Sequence, residues 1–167
     1  MKVVNRLVKT DKCISMIIHD LDHNLLGAVF SKWPLHITIV FYFTFDINME
    51  NSIFDRISEI AKKIGPIEVN PGKNVMYGLD KDTVVTEIDD VDNKLALLHS
   101  SLINGLTELG CQFLDLVYTF DNYSPHISDQ DSRKCSDKPF TIYNISVVSK
   151  ITGDIEHSKV ISKIISL

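Results

Sequence analysis

The sequence predicts one α+β domain over residues 1–167, built on antiparallel sheet with flanking helices, and three observations predict it. Two segments carry apolar residues at helical spacing, the remainder reads as short β-rich runs between turn signals, and no Pro/Gly/Ser-rich linker or low-complexity tract divides the chain. At 167 residues a substantial apolar core can be buried.

In chain order, residues 13 to 18 are apolar and β-compatible, and the polar residues 20 to 24 read as a turn. A second strand follows over 35 to 44. Its alternation puts His36, Thr38, Val40 and Tyr42 on one face and Ile37, Ile39, Phe41 and Phe43 on the other, which reads as core. Ile53, Phe54, Ile57, Ile60, Ala61 and Ile64 recur at helical spacing after an Asn48 or Asn51 cap, and Gly65-Pro66 ends that helix. Residues 67 to 70, 74 to 78 and 83 to 88 read as short strands separated by Pro71-Gly72 and the acidic turn at Asp80 and Asp82. A second helix carries Val91, Leu95, Leu98, Leu102, Leu106 and Leu109 on one face, with Asp90 or Asp92 before it and Gly110 after. A strand is expected at His126, and β-rich segments at 140 to 148 and 158 to 167 join near Thr152-Gly153-Asp154, read as a hairpin turn.

Composition narrows the function classes. With 44% hydrophobic and 23% charged residues the chain is ordinary for a soluble protein, and no apolar run approaches the roughly 18 residues of a membrane span. The basic start lacks the apolar stretch and cleavage site of a secretory signal, so no targeting segment is expected. Cys13, Cys111 and Cys135 are an odd count without close pairs, which argues against a disulfide framework or zinc knuckle and for reduced thiols in the cytoplasm. A net charge of −5 does not suit a grip on long duplex nucleic acid, leaving a small nucleotide or short oligonucleotide as the expected partner of a monomer that needs no membrane.

His-x-Ser/Thr occurs three times, whereas 24 Ser and Thr and six His in 167 residues give about one such match by chance. His99-Ser100-Ser101 lies in the second helix, where residues two apart point about 200° away from each other and cannot address one ligand atom. His36-Ile37-Thr38 and His126-Ile127-Ser128 read as strand, where that spacing puts imidazole and hydroxyl side by side. Ninety residues apart and each entered through a proline, they are the candidate catalytic pair. Transfer at a phosphodiester needs one group to take a proton from the attacking hydroxyl and another to give one to the departing oxygen. Two imidazoles serve both roles near neutral pH, and the Thr38 and Ser128 hydroxyls can donate to the non-bridging oxygens. No metal or cofactor is needed for this scheme.

Pro-Leu-His-Ile-Thr-Ile (34 to 39), Pro-His-Ile-Ser (125 to 128), the helix around Leu95 to Leu102 and the closing Ile-Ile-Ser-Leu resemble the two-histidine phosphoesterase superfamily over nearly the whole chain. That superfamily includes the LigT-like RNA 2′,5′-ligases/phosphodiesterases and the cyclic phosphodiesterases. The resemblance implies two pseudo-symmetric lobes facing across a central groove, and hydrolysis or ligation of 2′,5′ linkages, or opening of cyclic nucleotide phosphates, without metal. The second motif departs from the family pattern by running into Asp129-Gln130-Asp131.

Other residues carry weaker signals. His19-Asp20-Leu21-Asp22-His23 combines metal-ligand types but is more simply a solvated turn. Trp33 and Tyr123, each three residues before a motif histidine, are candidate substrate-binding residues that could stack a base or merely pack. Arg133, Lys134 and Lys138 are the basic cluster near a motif, and His99 and His157 read as a helix-flank and a solvated residue. Alternatives to a phosphodiesterase are a nucleotide-binding sensor or sequestering module with little turnover, favoured by the irregular second motif, and RNA end processing or ligation, which calls for a more basic surface.

Overall fold

The computed structural model describes residues 11–151 and 157–167. Residues 1–10 of the basic start and Thr152-Gly153-Asp154 lie outside these residues.

Among them, ten strands form one sheet in which every registered pair is antiparallel. In chain order these are β1 (Lys12–Asp20), β2 (Val29–Phe30), β3 (His36–Asp46), β4 (Ile67–Tyr77), β5 (Thr83–Asp89), β6 (Gln112–Phe113), β7 (His126–Ser128), β8 (Phe140–Ile142), β9 (Asn144–Lys150) and β10 (Lys159–Ser166). Helix α1 (Glu50–Ile64) follows β3 and helix α2 (Lys94–Glu108) follows β5. The strand order is β2-β10-β9-β1-β3-β7-β5-β4-β8, with β6 paired separately to β3. The half ending in β3 and the half beginning in β7 meet at one registered pair, Ile37 opposite Ile127. No described helix is long and apolar enough to cross a membrane.

The two helices pack on each other over one sheet face. Ile53, Ile57, Ile60 and Ala61 of α1 and Leu95, Leu98, Leu102 and Leu106 of α2 interdigitate with Ile17, Ile37, Ile39, Phe43, Ile127 and Val147 to make the main core. A smaller cluster on the opposite face gathers Met16, Ile18, Val148 and Ile161 under Phe30, Trp33 and Tyr42.

Several local expectations change. Two register shifts between β1 and β3 place Ser15 opposite Phe43, Ile17 opposite Val40 and Ile18 opposite Thr38, so β3 carries two extra residues. The bulges turn Val40 into the main core and leave Phe41 46% exposed, reversing the faces expected from strict alternation. Residues 67 to 77 form one strand rather than two, because the Pro71-Gly72 interruption is absorbed as a bulge opposite Ile88 and Thr86. No side-chain cap from Asn48 or Asn51 is made at α1, whereas Gly65 closes it with φ +70° as expected. Val91 lies before α2 and is exposed; Asp90 instead satisfies the Leu95 and Ala96 amides at 3.0 and 2.8 Å. The 140 to 148 segment splits, β8 pairing with β4 and β9 with β1, so one stretch of chain joins opposite parts of the sheet. His19, buried on the core side, stacks on Phe140 and hydrogen-bonds the Asn144 carbonyl, pinning that crossing.

Candidate active site

Ile37 and Ile127 are fully buried and directly opposed, both pointing into the helix-side core. Their strand neighbours His36, Thr38, His126 and Ser128 therefore face the other way, all onto one surface. Around an antiparallel pair His36 stands beside Ser128 and Thr38 beside His126, so the two imidazoles occupy one diagonal and the two hydroxyls the other. The diagonal spacing of such a quartet is about 7–8 Å between α-carbons, room for one phosphate between the rings.

The flanking strands extend this pattern. Asp20 pairs with His36 and Ile18 with Thr38 on the β1 side, while Glu87 pairs with His126 and Val85 with Ser128 on the β5 side. One row across the sheet thus reads Asp20, His36, Ser128, Val85, and the next reads Ile18, Thr38, His126, Glu87. The rows exchange under a local two-fold axis through the Ile37–Ile127 pair.

Both imidazoles are oriented the same way. His36 Nδ1 lies 2.8 Å from the Pro34 carbonyl and His126 Nδ1 lies 2.8 Å from the Ser124 carbonyl. A carbonyl oxygen only accepts, so each Nδ1 carries hydrogen and each Nε2 is left for chemistry. Each ring also meets an aromatic, Trp33 against His36 and Tyr77 against His126, both at 4.9 Å between centroids. Burial lowers the pKa of His36 and the nearby His126 lowers it further, while the Pro34 carbonyl, Asp20 and Asp22 oppose that shift.

Asp20, 3% exposed, is committed to the turn: its carboxylate accepts from the Asp22 and Asn24 amides and from Asn24 Nδ2. With His19 turned to the opposite face, the 19 to 23 segment works as structure, and among the described residues no group of three or more His, Cys, Asp or Glu gathers to hold a metal. Asp22 accepts from the Leu35 amide at 3.2 Å and from Arg133 at 2.7 Å, while Lys32 pairs with Asp131 at 3.5 Å. The Asp129-Gln130-Asp131 departure therefore makes a tight turn that ties the second motif back to the loop before the first.

Trp33 lies against the His36 ring and packs on the smaller cluster. Tyr123 does not present a free ring: it stacks on His99 at 4.0 Å and 6°, and its hydroxyl donates to the Thr38 carbonyl at 2.9 Å. The packing alternative describes it, because the loop entering the second motif must be anchored to the first. His99 is 2% exposed and more than a helix flank. Its Nδ1–H donates to the Ile39 carbonyl at 2.6 Å and its Nε2 accepts the Phe120 amide at 3.1 Å, an arrangement only neutral imidazole can make. Desolvation correspondingly lowers its pKa. His157 is exposed, as expected of a solvated residue, and burial pushes the Cys111 thiol up to about 11, away from nucleophilic use. Tyr77 and Glu87 were not singled out from the sequence; their only signal is a strand register that local pattern does not contain.

No family model and no curated protein sequence matches the chain. Solved structures do. Escherichia coli LigT in its apo form superposes with a TM-score of 0.61 at 12% identity, covering 93% of this chain and 98% of LigT. LigT complexed with 3′-AMP gives 0.64 at 12% identity over 93% and 98% of the two chains, and a structure described as a phosphoesterase gives 0.57 at 12% identity over 93% and 95%. The chain has the α+β fold of LigT.

Proposed function

We propose that this protein is a phosphodiesterase of the two-histidine superfamily, acting on a cyclic nucleotide or a short 2′,5′-linked oligonucleotide. The observation that carries the reading is the Ile37–Ile127 pair, which puts two imidazoles and two hydroxyls on one face around a local two-fold axis. That symmetry matches in-line displacement, where entering and leaving oxygens lie on opposite sides of phosphorus. LigT has been solved with 3′-AMP and with NADP+, which supports a small nucleotide as ligand.

His36 is the assigned base, because burial favours its neutral form. Its Nε2 takes the proton of the attacking water as the new P–O bond forms; the P–O bond to the departing alcohol breaks, and His126 Nε2–H supplies that oxygen with a proton. Thr38 and Ser128 donate to the non-bridging oxygens, where charge must be held. Tyr123 is a positioning residue, and Trp33 and Tyr77 are the walls against which a base can lie. Each proton transfer contributes typically about 10²- to 10⁴-fold.

The test is turnover of adenosine 2′,3′-cyclic phosphate and of 2′,5′-linked diadenosine in EDTA, with His36→Ala and His126→Ala as controls. Turnover lost in either variant supports the reading. Full activity in the double variant removes these histidines from the chemistry, loss of activity on chelation removes the metal-free scheme, and tight binding without product makes the chain a nucleotide-binding module.

A further inference from the structure

The quartet is two-fold symmetric, but the ends of the surface around it are not. At the β5 end, Glu87, Asp89 and Lys73 border a cleft with Ser124 and Pro125, an acidic excess that disfavours an anion. At the other end, Lys150 and Lys159 stand directly opposite each other on β9 and β10. Like charges in that relation destabilise a sheet.

Both lysines lie on the face that carries His36. Their alternate neighbours Val148 and Ile161 belong to the cluster under Trp33 and Tyr42. Lys150 Nζ lies 4.2 Å from the Tyr42 ring centroid and Lys159 Nζ 4.9 Å from that of Trp33. Trp33 is the residue whose ring lies, tilted, against His36, so the Lys159 ammonium lies within about 10 Å of the His36 ring. Lys159 is only 7% exposed, its ammonium donating to the His157 and Ser31 carbonyls at 3.0 and 3.4 Å. These contacts hold the cations without neutralising them, and no ion pair to either is found among the described residues. Two cations set side by side on the face that carries a phosphate-directed site attract an anion there, in a chain whose net charge is otherwise −5.

We propose that Lys150 and Lys159, set on the Tyr42 and Trp33 rings, form a second phosphate subsite, so that preferred substrates are nucleotides with a phosphate beyond the one attacked. The inference rests on the phosphodiesterase reading for the position of the attacked phosphate.

The test is calorimetric binding of adenosine 3′,5′-bisphosphate and adenosine 3′-monophosphate to the wild-type chain and to Lys150→Gln and Lys159→Gln. The bisphosphate is expected to bind about tenfold more tightly to wild type, an advantage that shrinks with added salt and collapses in both variants. Lys150 is exposed, so its variant tests the subsite even where Lys159→Gln fails to fold. A ratio near one in wild type, or a ratio unchanged in Lys150→Gln, overturns the subsite. Turnover of adenosine 2′,3′-cyclic phosphate with a ratio of one keeps the hydrolase and rejects the subsite; a tenfold ratio without turnover does the reverse, and no binding of either nucleotide rejects both.

Discussion

Removing a single oxygen from Tyr123 tests whether the scaffold under the site controls the chemistry. Tyr123→Phe keeps the ring stacked on His99 but deletes the 2.9 Å hydrogen bond to the Thr38 carbonyl. Burial keeps that hydroxyl protonated, with Asp90 adding to the effect, so it is a donor throughout the working pH range. A net hydrogen bond is worth about 0.5–1.5 kcal/mol, and leaving the carbonyl partner unsatisfied adds to it, so a loss of about 1–2 kcal/mol in urea denaturation is expected. The same bond fixes the backbone of Thr38 relative to the loop entering His126, and misplacement by a fraction of an ångström costs catalysis more than binding. The expected result is a kcat lowered about tenfold with KM nearly unchanged and the rate–pH profile keeping its shape. A variant that loses stability but retains kcat refutes the coupling, and one that loses neither shows that the bond carries nothing.

Ile127→Ala empties a fully buried position at the seam between the two motifs and should cost about 2–5 kcal/mol, with Ile127→Val near 1 kcal/mol; equal denaturation midpoints for wild type and both variants would contradict the seam. His19, His36 and His99 all have lowered folded-state pKa values, chiefly through burial. The unfolded chain therefore takes up their protons first as pH falls below about 6.5, and stability present above that value declines toward the folded-state pKa values by up to about 1.4 kcal/mol per pH unit for each histidine. Urea midpoints that stay flat from pH 7.5 to 5 would refute this. Tyr77→Ala should raise KM about tenfold through loss of the ring beside His126, and Tyr77→Phe far less, since the hydroxyl reaches only Ser124; equal KM values for all three proteins would place Tyr77 outside the substrate's reach.

Much of the fold was legible because its signals are local. Leu95, Leu98, Leu102 and Leu106 mark the buried face of α2 by spacing alone, and Gly65 marks the end of α1 because a left-handed residue there avoids a Cβ penalty. The same reasoning misplaced Val40 and Phe41, since an extra residue in one strand is invisible without its partner. Tyr123 was left open between two roles for a related reason: an aromatic before a motif looks the same whether its ring meets a base or His99.

Sequence by itself determined which side chains alternate onto one surface within each motif, because a strand's two-residue period is a property of the local backbone. It also separated His99 from the motif histidines, because helical geometry excludes it. Only the tertiary structure decided that Ile37 faces Ile127, that Asp20 and Glu87 flank opposite ends of the quartet, and that Lys150 opposes Lys159. Register between strands distant in the chain is set by how buried faces pack together, and no local pattern encodes it.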